Sequence, residues 1–583
     1  MANIIASKHQ LWYTPLELRI PLGGRQSDMY TAFALSGLVI TLIITACSIY
    51  RIKKGTVSHI RILSSIGRFI DDHYIAAILL ILSVYLVSRI LKIESFPSGI
   101  HVDELSMAVD AKSLMLNGHD RSGLSYPPYF PNYGGGQNAL YTYIQAFILN
   151  FIPASIFAFR IQAVFWGAMC LLAMYGIVYE ITENHGFALT GPILVTTLPV
   201  YFMSERWGLE SYLLLPFCTI VMYFIIKAVK TQKPAFWLLA GLLMGASLYT
   251  YAVSYIIWPL FLVLFVLYLL YIKELHVKQA VAFMIPLTVV SMPLILFQMV
   301  NFRILAPFRL WISDYVPLPI AREQELGLQF VLENFRFYGE LFLGGEALTY
   351  NSLREFGTIY LFLLPFVVAG LIICIKKSFR SFKDKSLSVH VLFVFFWVAS
   401  TICMHLVKAP NVNRVNALFL PFTVFIAVAF YELLSKSPLA ISWLTVWLAA
   451  SFLFFGYFYF FVQYSVYEPN ELFSSSSAMK AIERSVKYYR KDTDTHIYVQ
   501  FADEAVSPVQ QVFYMAAENG DVYSDDTSTY GCVTSGLPEE ININDNAVYI
   551  IGDQWPHITA YLISEGFLAD QSLPGYSILF RLN

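Results

Sequence analysis

Charge is what this 583-residue chain has least of. Asp, Glu, Lys and Arg together make up 13% of it, against about 25% in an ordinary soluble domain. With 57% hydrophobic residues and a mean hydropathy of +0.59, that scarcity excludes a soluble globule and reads as a polytopic membrane protein. The formal net charge of −2 lacks the basic excess of a nucleic-acid-binding surface, so nucleic acid is not an expected partner. Cysteine is scarce as well. Cys47, Cys170, Cys218, Cys374 and Cys403 fall in apolar runs, Cys532 alone lies in a polar region, and no C-x-x-C spacing occurs, so neither a zinc site nor a disulfide framework is indicated. There is no Asn-x-Ser/Thr acceptor, as is more expected of a bacterial chain than of one maturing in the secretory pathway. Residues 1–28 have no apolar core and do not form a signal-peptide pattern.

What the chain does have is apolar runs of membrane-crossing length. About twelve spans are expected, near residues 30–50, 74–91, 157–179, 187–203, 211–229, 235–252, 255–272, 280–300, 358–375, 389–407, 415–434 and 441–463. Basic residues in short loops orient them. Arg51, Lys53, Lys54, Arg61 and Arg68 lie in one connection and Lys376, Lys377, Arg380, Lys383 and Lys385 in another. Lys227, Lys230 and Lys233 flank a third, and Lys273 and Lys278 a fourth. All four fall on one side, which is therefore read as cytoplasmic. The loops 92–156 and 301–357, the turn 408–414 and everything after residue 462 fall outside. The same count places residues 1–28 outside despite Lys8, Arg19 and Arg25. Three units follow: residues 1–70, with one extra span and a basic cytoplasmic loop; a transmembrane body, 71–465, with the outward loops 92–156 and 301–357; and an extracytoplasmic α/β domain, 466–583. In the last, strands are expected at 496–501, 547–551 and 576–582 and helices at 508–517 and 557–565. The fold class is mostly α, with the localisation a multi-pass plasma membrane protein.

The chain's chemistry gathers in the outward segments. His101-Val-Asp-Glu-Leu-Ser-Met-Ala-Val-Asp-Ala-Lys112 puts adjacent carboxylates, Asp103 and Glu104, just past the end of a span. If helical, it sets Asp110 on the face of Asp103, roughly 10 Å along. A carboxylate at a membrane surface deprotonates an acceptor hydroxyl or holds a divalent cation, Mg or Mn, and for Asp103 and Glu104 both uses stand at this stage. The plain alternative is a solvated acidic helix start. Ser204-Glu-Arg-Trp-Gly-Leu-Glu-Ser211 adds Arg206 and Glu210. A charge at mid-bilayer costs about 2.5–3.5 kcal/mol on insertion scales, and these groups avoid most of it by lying at the interface. Lys408-Ala-Pro-Asn-Val-Asn-Arg-Val-Asn416 gathers hydrogen-bonding groups at the outer interface. Lys408 and Arg414, with Arg206, are candidates to hold a phosphate, which an arginine can grip bidentately, and the plain alternative is an anchor for lipid headgroups. The arginines of loop 301–357 are further phosphate candidates. Gly134-Gly-Gly136 is not a dinucleotide fingerprint and is read as close backbone packing.

These residues resemble the membrane-embedded GT-C glycosyltransferases of the protein O-mannosyltransferase and aminoarabinose-transferase kind. The outward Asp-Glu pair, the Arg206-x-x-x-Glu210 turn and the polytopic body with an outward C-terminal domain carry the likeness. It is nearest the bacterial glycosyltransferase family 39 type, in which Asp-Glu-x-x-x-Ala is common; here Asp103-Glu104-Leu-Ser-Met-Ala108. The likeness covers roughly residues 70–465. It implies a polyprenyl-phosphate-linked sugar donor and an inverting transfer at the outer leaflet, with a polar acceptor in protein, lipid or cell-wall glycan. It also implies that Asp103 takes the catalytic acid position with Glu104 beside it, that Glu210 is the second acidic position and Arg206 the basic residue before it, and that Arg414 sits in the turn that meets the donor phosphate. Many relatives have a His-Pro-Pro-Leu type sequence where this chain has Gly135-Gly-Gln-Asn138. The acceptor-side residues there would be Gln137 and Asn138, with Asp110. The competing classes are a transporter or lipid flippase and a non-catalytic scaffold. A transporter places ionisable groups in broken helices at the midplane, commonly in two similar halves. Neither feature is seen in the sequence.

Overall fold

The protein is described from a computed structural model covering residues 24–54, 69–97, 99–132, 135–318, 326–344, 351, 353, 356–463, 473–474, 481, 484–485, 495–500, 533–535, 537–538, 541, 546–553, 555–573 and 576–581. Among the described residues nine helices are long and apolar enough to cross a membrane: Thr31–Ile52, Ile156–Thr182, Glu210–Thr231, Ser254–Ile272, Val277–Asn301, Leu361–Asp384, Val389–Leu406, Val412–Leu434 and Pro438–Val462. Two shorter apolar helices, Tyr74–Ile90 and Pro234–Ser247, accompany them. The remaining expected span, 187–203, is not one helix. It breaks into Thr190–Thr197 and Pro199–Ser204, with Leu198 extended between them (φ −71°, ψ 136°). Pro199 disfavours helical backbone at the residue before it, and its fixed φ suits the first turn of the second piece. The mostly α, multi-pass architecture is as expected, and the count of about twelve resolves into full-length, short and broken members.

The polar connections sort to two ends of the bundle. At one, Lys227 and Lys230 pair with Glu180 at 2.8 and 2.9 Å, and Lys377 pairs with Glu432. At the other, Ser125 N–H donates to Asp314 Oδ2 at 2.8 Å and Asp314 N–H to the Ser125 carbonyl at 2.9 Å. There too Asn334 Nδ2 donates to the carbonyls of Met404, His405 and Val407, and Asn416 Nδ2 to that of Ser211. The loops that hydropathy grouped on one side therefore do meet. Of the arginines in loop 301–357, Arg322 and Arg354 lie outside the described residues.

Among the described residues, eleven short strands accompany the helices. β1 (Ile100–His101) pairs with β6 (Phe473–Ser474), β2 (Tyr129–Asn132) with β3 (Gly135–Asn138), and β4 (Phe308–Leu310) with β5 (Ser313–Tyr315). The C-terminal sheet runs in the order β10 (Leu568–Leu573), β11 (Tyr576–Phe580), β9 (Ala547–Gly552), β7 (His496–Gln500), β8 (Val533–Ser535). Strands β7, β8 and β9 are parallel, and β11 and β10 close the sheet antiparallel. The three expected strands and the helix near 557–565 (observed Pro556–Ser564) are present, whereas the expected helix 508–517 lies outside the described residues. Period-two alternation gives the sheet two apolar faces. Tyr549, Ile551 and Leu579 pack with Leu562 of the Pro556–Ser564 helix. Ile497, Val499, Val548, Ile550 and Ile578 join Leu105, Met107, Ala108 and Ala111 in one buried cluster. The sheet thus lies against the helix that follows β1.

Candidate functional site

That helix, Val102–Asn117, is the site helix. Its start is a capping box. His101 Nδ1 accepts from Asp103 N–H at 3.0 Å, and the Glu104 carboxylate accepts from His101 N–H at 2.9 Å, so two of the orphan donors of the first turn are satisfied. Its end is Gly118, in the left-handed region (φ 74°) that glycine adopts without cost. Between the caps nearly every residue is buried, because helix Leu140–Ile148 and the C-terminal sheet both pack on it. Burying side chains such as Leu105, Met107 and Val109 contributes about 1.5–3 kcal/mol each, enough to hold a short helix that composition alone would not.

Glu104 and Asp103 have different fates. Glu104 is fully buried. Arg160, inside the Ile156–Thr182 helix, grips it with two bonds, Nε to Oε1 at 2.9 Å and Nη2 to Oε2 at 2.8 Å. Gly208 N–H donates to Oε1 at 2.6 Å. Arg160 spends its remaining N–H groups on the carbonyls of Ile93, Pro97 and Gly99. Gly208 is required there, since a Cβ would meet the Phe159 ring at 2.3 Å. Glu104 therefore joins the chain entering the site to the bundle. Asp103, by contrast, keeps 42% of its side chain exposed. Asn132 Nδ2 donates to its Oδ1 at 3.1 Å, and its Oδ2 lies 3.7 Å from His101 Nδ1. Burial holds the His101 imidazole below its usual range, against the pull of Asp103 and Glu104. It is neutral, with its Nδ1 lone pair used by the cap.

The other candidates divide in the same way. Gln137 lies beside Asp103: Ser106 Oγ donates to its Oε1 at 3.2 Å, and its Nε2 approaches the Asp103 carbonyl at 3.5 Å. Asn138 Oδ1 accepts from Tyr255 at 2.6 Å, and Glu210 is among the charges that act on Tyr255. The turn Val412–Val415 packs against Glu210–Leu213, which brings Arg414 to the same end. Arg414 Nη1 donates to the Lys408 carbonyl at 2.6 Å, and Lys408 is exposed. Two residues do not join this set. Arg206 was expected to hold a phosphate; it is fully buried and donates to Tyr459 and to the carbonyls of Ser88, Arg89, Leu91 and Phe96. The end of helix Tyr74–Ile90 leaves carbonyls without partners, and a buried cation is their natural cap. Asp110 was expected near the acceptor; it is 1% exposed and accepts from Arg121 N–H at 3.0 Å. Burial raises the Asp110 carboxyl above its usual range, Arg121 only partly offsetting it. Asp120 is pushed up to about 7, first by burial and then by Asp110.

A divalent metal on Asp103 and Glu104 does not fit these side chains. Both Glu104 oxygens are occupied by an arginine and backbone N–H groups, and no group of three or more His, Cys, Asp or Glu side chains is placed to hold an ion among the described residues. Sequence reasoning missed Arg160, Arg121 and Asn132. Arg160 had a signal, as a lone charge inside an apolar span; the other two lie in a polar loop with none.

No protein-family model matches the sequence, and no curated protein does. Solved structures do match. ArnT from Cupriavidus metallidurans in the apo state aligns at 10% identity over 88% of this chain and 98% of that one, with a TM-score of 0.53. The same protein bound to undecaprenyl phosphate aligns at 11% identity over 87% and 97%, TM-score 0.49. The Archaeoglobus fulgidus oligosaccharyltransferase in the apo form aligns at 11% identity over 84% and 71%, TM-score 0.46. The likeness to ArnT is one of fold, and it is the GT-C type of fold that the sequence resemblance implied.

Proposed function

We propose that this chain is a glycosyltransferase that moves a hexosyl or pentosyl unit from a polyprenyl-phosphate donor to an acceptor hydroxyl, with inversion, at the outer face of a bacterial plasma membrane. The observation that carries the reading is the division of the acid pair. One carboxylate is buried and saturated, and its neighbour is presented, half open, by a helix fixed at both ends. A general base needs that combination of rigidity and access. The ArnT-like fold supports it.

In the reaction, Asp103 accepts the proton of the acceptor hydroxyl as that oxygen attacks the anomeric carbon. The bond from that carbon to the phosphate oxygen breaks, and its electron pair leaves with the polyprenyl phosphate. Attack opposite the leaving group inverts the centre. Arg414 and Lys408 meet the departing phosphate, whose charge is stabilised most where water is sparse. Gln137, Asn138 and Glu210 line the acceptor side. No step passes through a metal. The donor's tail draws it from the bilayer, and the acceptor (protein, lipid or cell-wall glycan) arrives from the aqueous side.

The test is transfer of radiolabelled undecaprenyl-phosphate mannose, glucose and aminoarabinose by membranes containing the chain. Asp103→Asn is expected to lose transfer by about 10²-fold or more with unchanged membrane insertion. Undiminished transfer by that variant would overturn the reading.

A further inference from the structure

The site helix carries two carboxylates seven residues apart, and a chain of side chains spans the roughly 10 Å between them. Asp110 Oδ1 accepts from Arg121 N–H at 3.0 Å and lies 3.5 Å from its Nε. Arg121 Nη2 donates to Asn132 Oδ1 at 2.5 Å and to the Pro131 carbonyl at 3.3 Å. Asn132 Nδ2 donates to Asp103 Oδ1 at 3.1 Å. Asp110 and Asn132 are buried, and the Arg121 side chain is 11% exposed, so the links behind Asp103 are largely shielded from competing water.

The direction of the chain follows from what each group can do. A guanidinium only donates, so Asn132 must turn its oxygen to Arg121 and its amide N–H₂ to Asp103. Asp103 Oδ1 is thereby used as an acceptor. Oδ2 takes no hydrogen bond among the described residues, and the neighbouring His101 Nδ1 offers it none because its lone pair accepts from Asp103 N–H. The carboxylate is pinned by one oxygen and open at the other.

We infer that Asn132 and Arg121 are positioning residues: they set the rotation of the Asp103 carboxylate so that Oδ2 faces the acceptor hydroxyl, with Asp110 holding Arg121 from behind. This deepens the transferase reading and rests on it. The informative variant is Asn132→Asp. It has the same shape and still accepts from Arg121, now as an ion pair, but it faces Asp103 with a second carboxylate in place of a donor.

With the purified full chain and undecaprenyl-phosphate mannose as donor, Asn132→Asp is expected to lower kcat by about 10²-fold, the scale of a misaligned reacting group. KM should stay within about twofold and the melting temperature should be unchanged. Arg121→Gln should lose kcat in the same sense, and Arg121→Lys, which restores a donor to Asn132, should recover most of it. A second readout needs no substrate. Water-soluble carbodiimide reacts with protonated carboxyls, and a carboxylate facing another takes up a proton more readily. Modification of Asp103, read by peptide mass spectrometry, should therefore be severalfold faster in Asn132→Asp than in the parent. Parent-like kcat and parent-like labelling in Asn132→Asp would overturn the inference while leaving the role of Asp103 intact. Full transfer by Asp103→Asn would instead remove the reading beneath it.

Discussion

A carboxylate and a guanidinium taken out of water together each forfeit several kcal/mol of hydration, which only close geometry and further hydrogen bonds restore. Glu104 and Arg160 meet that condition with a two-pronged contact and with backbone partners on both sides. Removing one member should therefore be costly, and unequally so. Arg160→Met leaves a buried charge and strips three carbonyls of their donor, so it should lose about 3–5 kcal/mol. Glu104→Gln keeps an acceptor for Arg160 and should lose less. Thermal unfolding of the purified variants ranks the two. The adjacent acids were legible as a pair, but their division of labour was not. Successive residues on a helix point about 100° apart, and which one meets an arginine from a helix 56 positions away is decided by packing. The same holds for Arg206, which reads as an exposed interfacial cation and serves as a buried cap.

Among elements, the helices were legible because each apolar run is long enough to record its own burial in lipid. The break at Leu198–Pro199 was written in the proline and hidden by the continuous hydropathy around it. Helix contacts depend on single small residues. A Cβ on Gly370, in Leu364–Asp384, would lie 1.9 Å from the Phe425 carbonyl oxygen in the facing helix Phe419–Leu434. Close approach of this kind is how membrane helices gain packing energy without a hydrophobic drive. Gly370→Val should therefore destabilise the bundle by about 1–3 kcal/mol, with Gly370→Ala milder in the same direction. Thermal unfolding in detergent measures both.

Across the whole molecule, the C-terminal sheet packs on the helix that carries the candidate site. Strand β6 pairs with β1, next to the residues that cap the site helix, and the sheet's inner face is buried against that helix. Ile550, fully buried there, is the place to test the coupling. Ile550→Asp should leave the spans inserted, lower transfer at least tenfold, and expose the buried Lys112 to trypsin. Cleavage after Lys112, detected by mass spectrometry, reports the loosened helix. The sequence by itself determined that the chain is a multi-pass membrane protein, where its helices run, and which acids and bases share one end. Those properties are local: hydropathy accumulates along a run, and basic residues count within a loop. Only the tertiary structure decided that Asp103 stays open while Glu104 is buried, that Arg206 and Asp110 are buried with their own partners, and that Asn132 and Arg121 stand behind the acid. Those facts depend on which side chains from distant segments arrive within hydrogen-bond reach, and no local pattern encodes that.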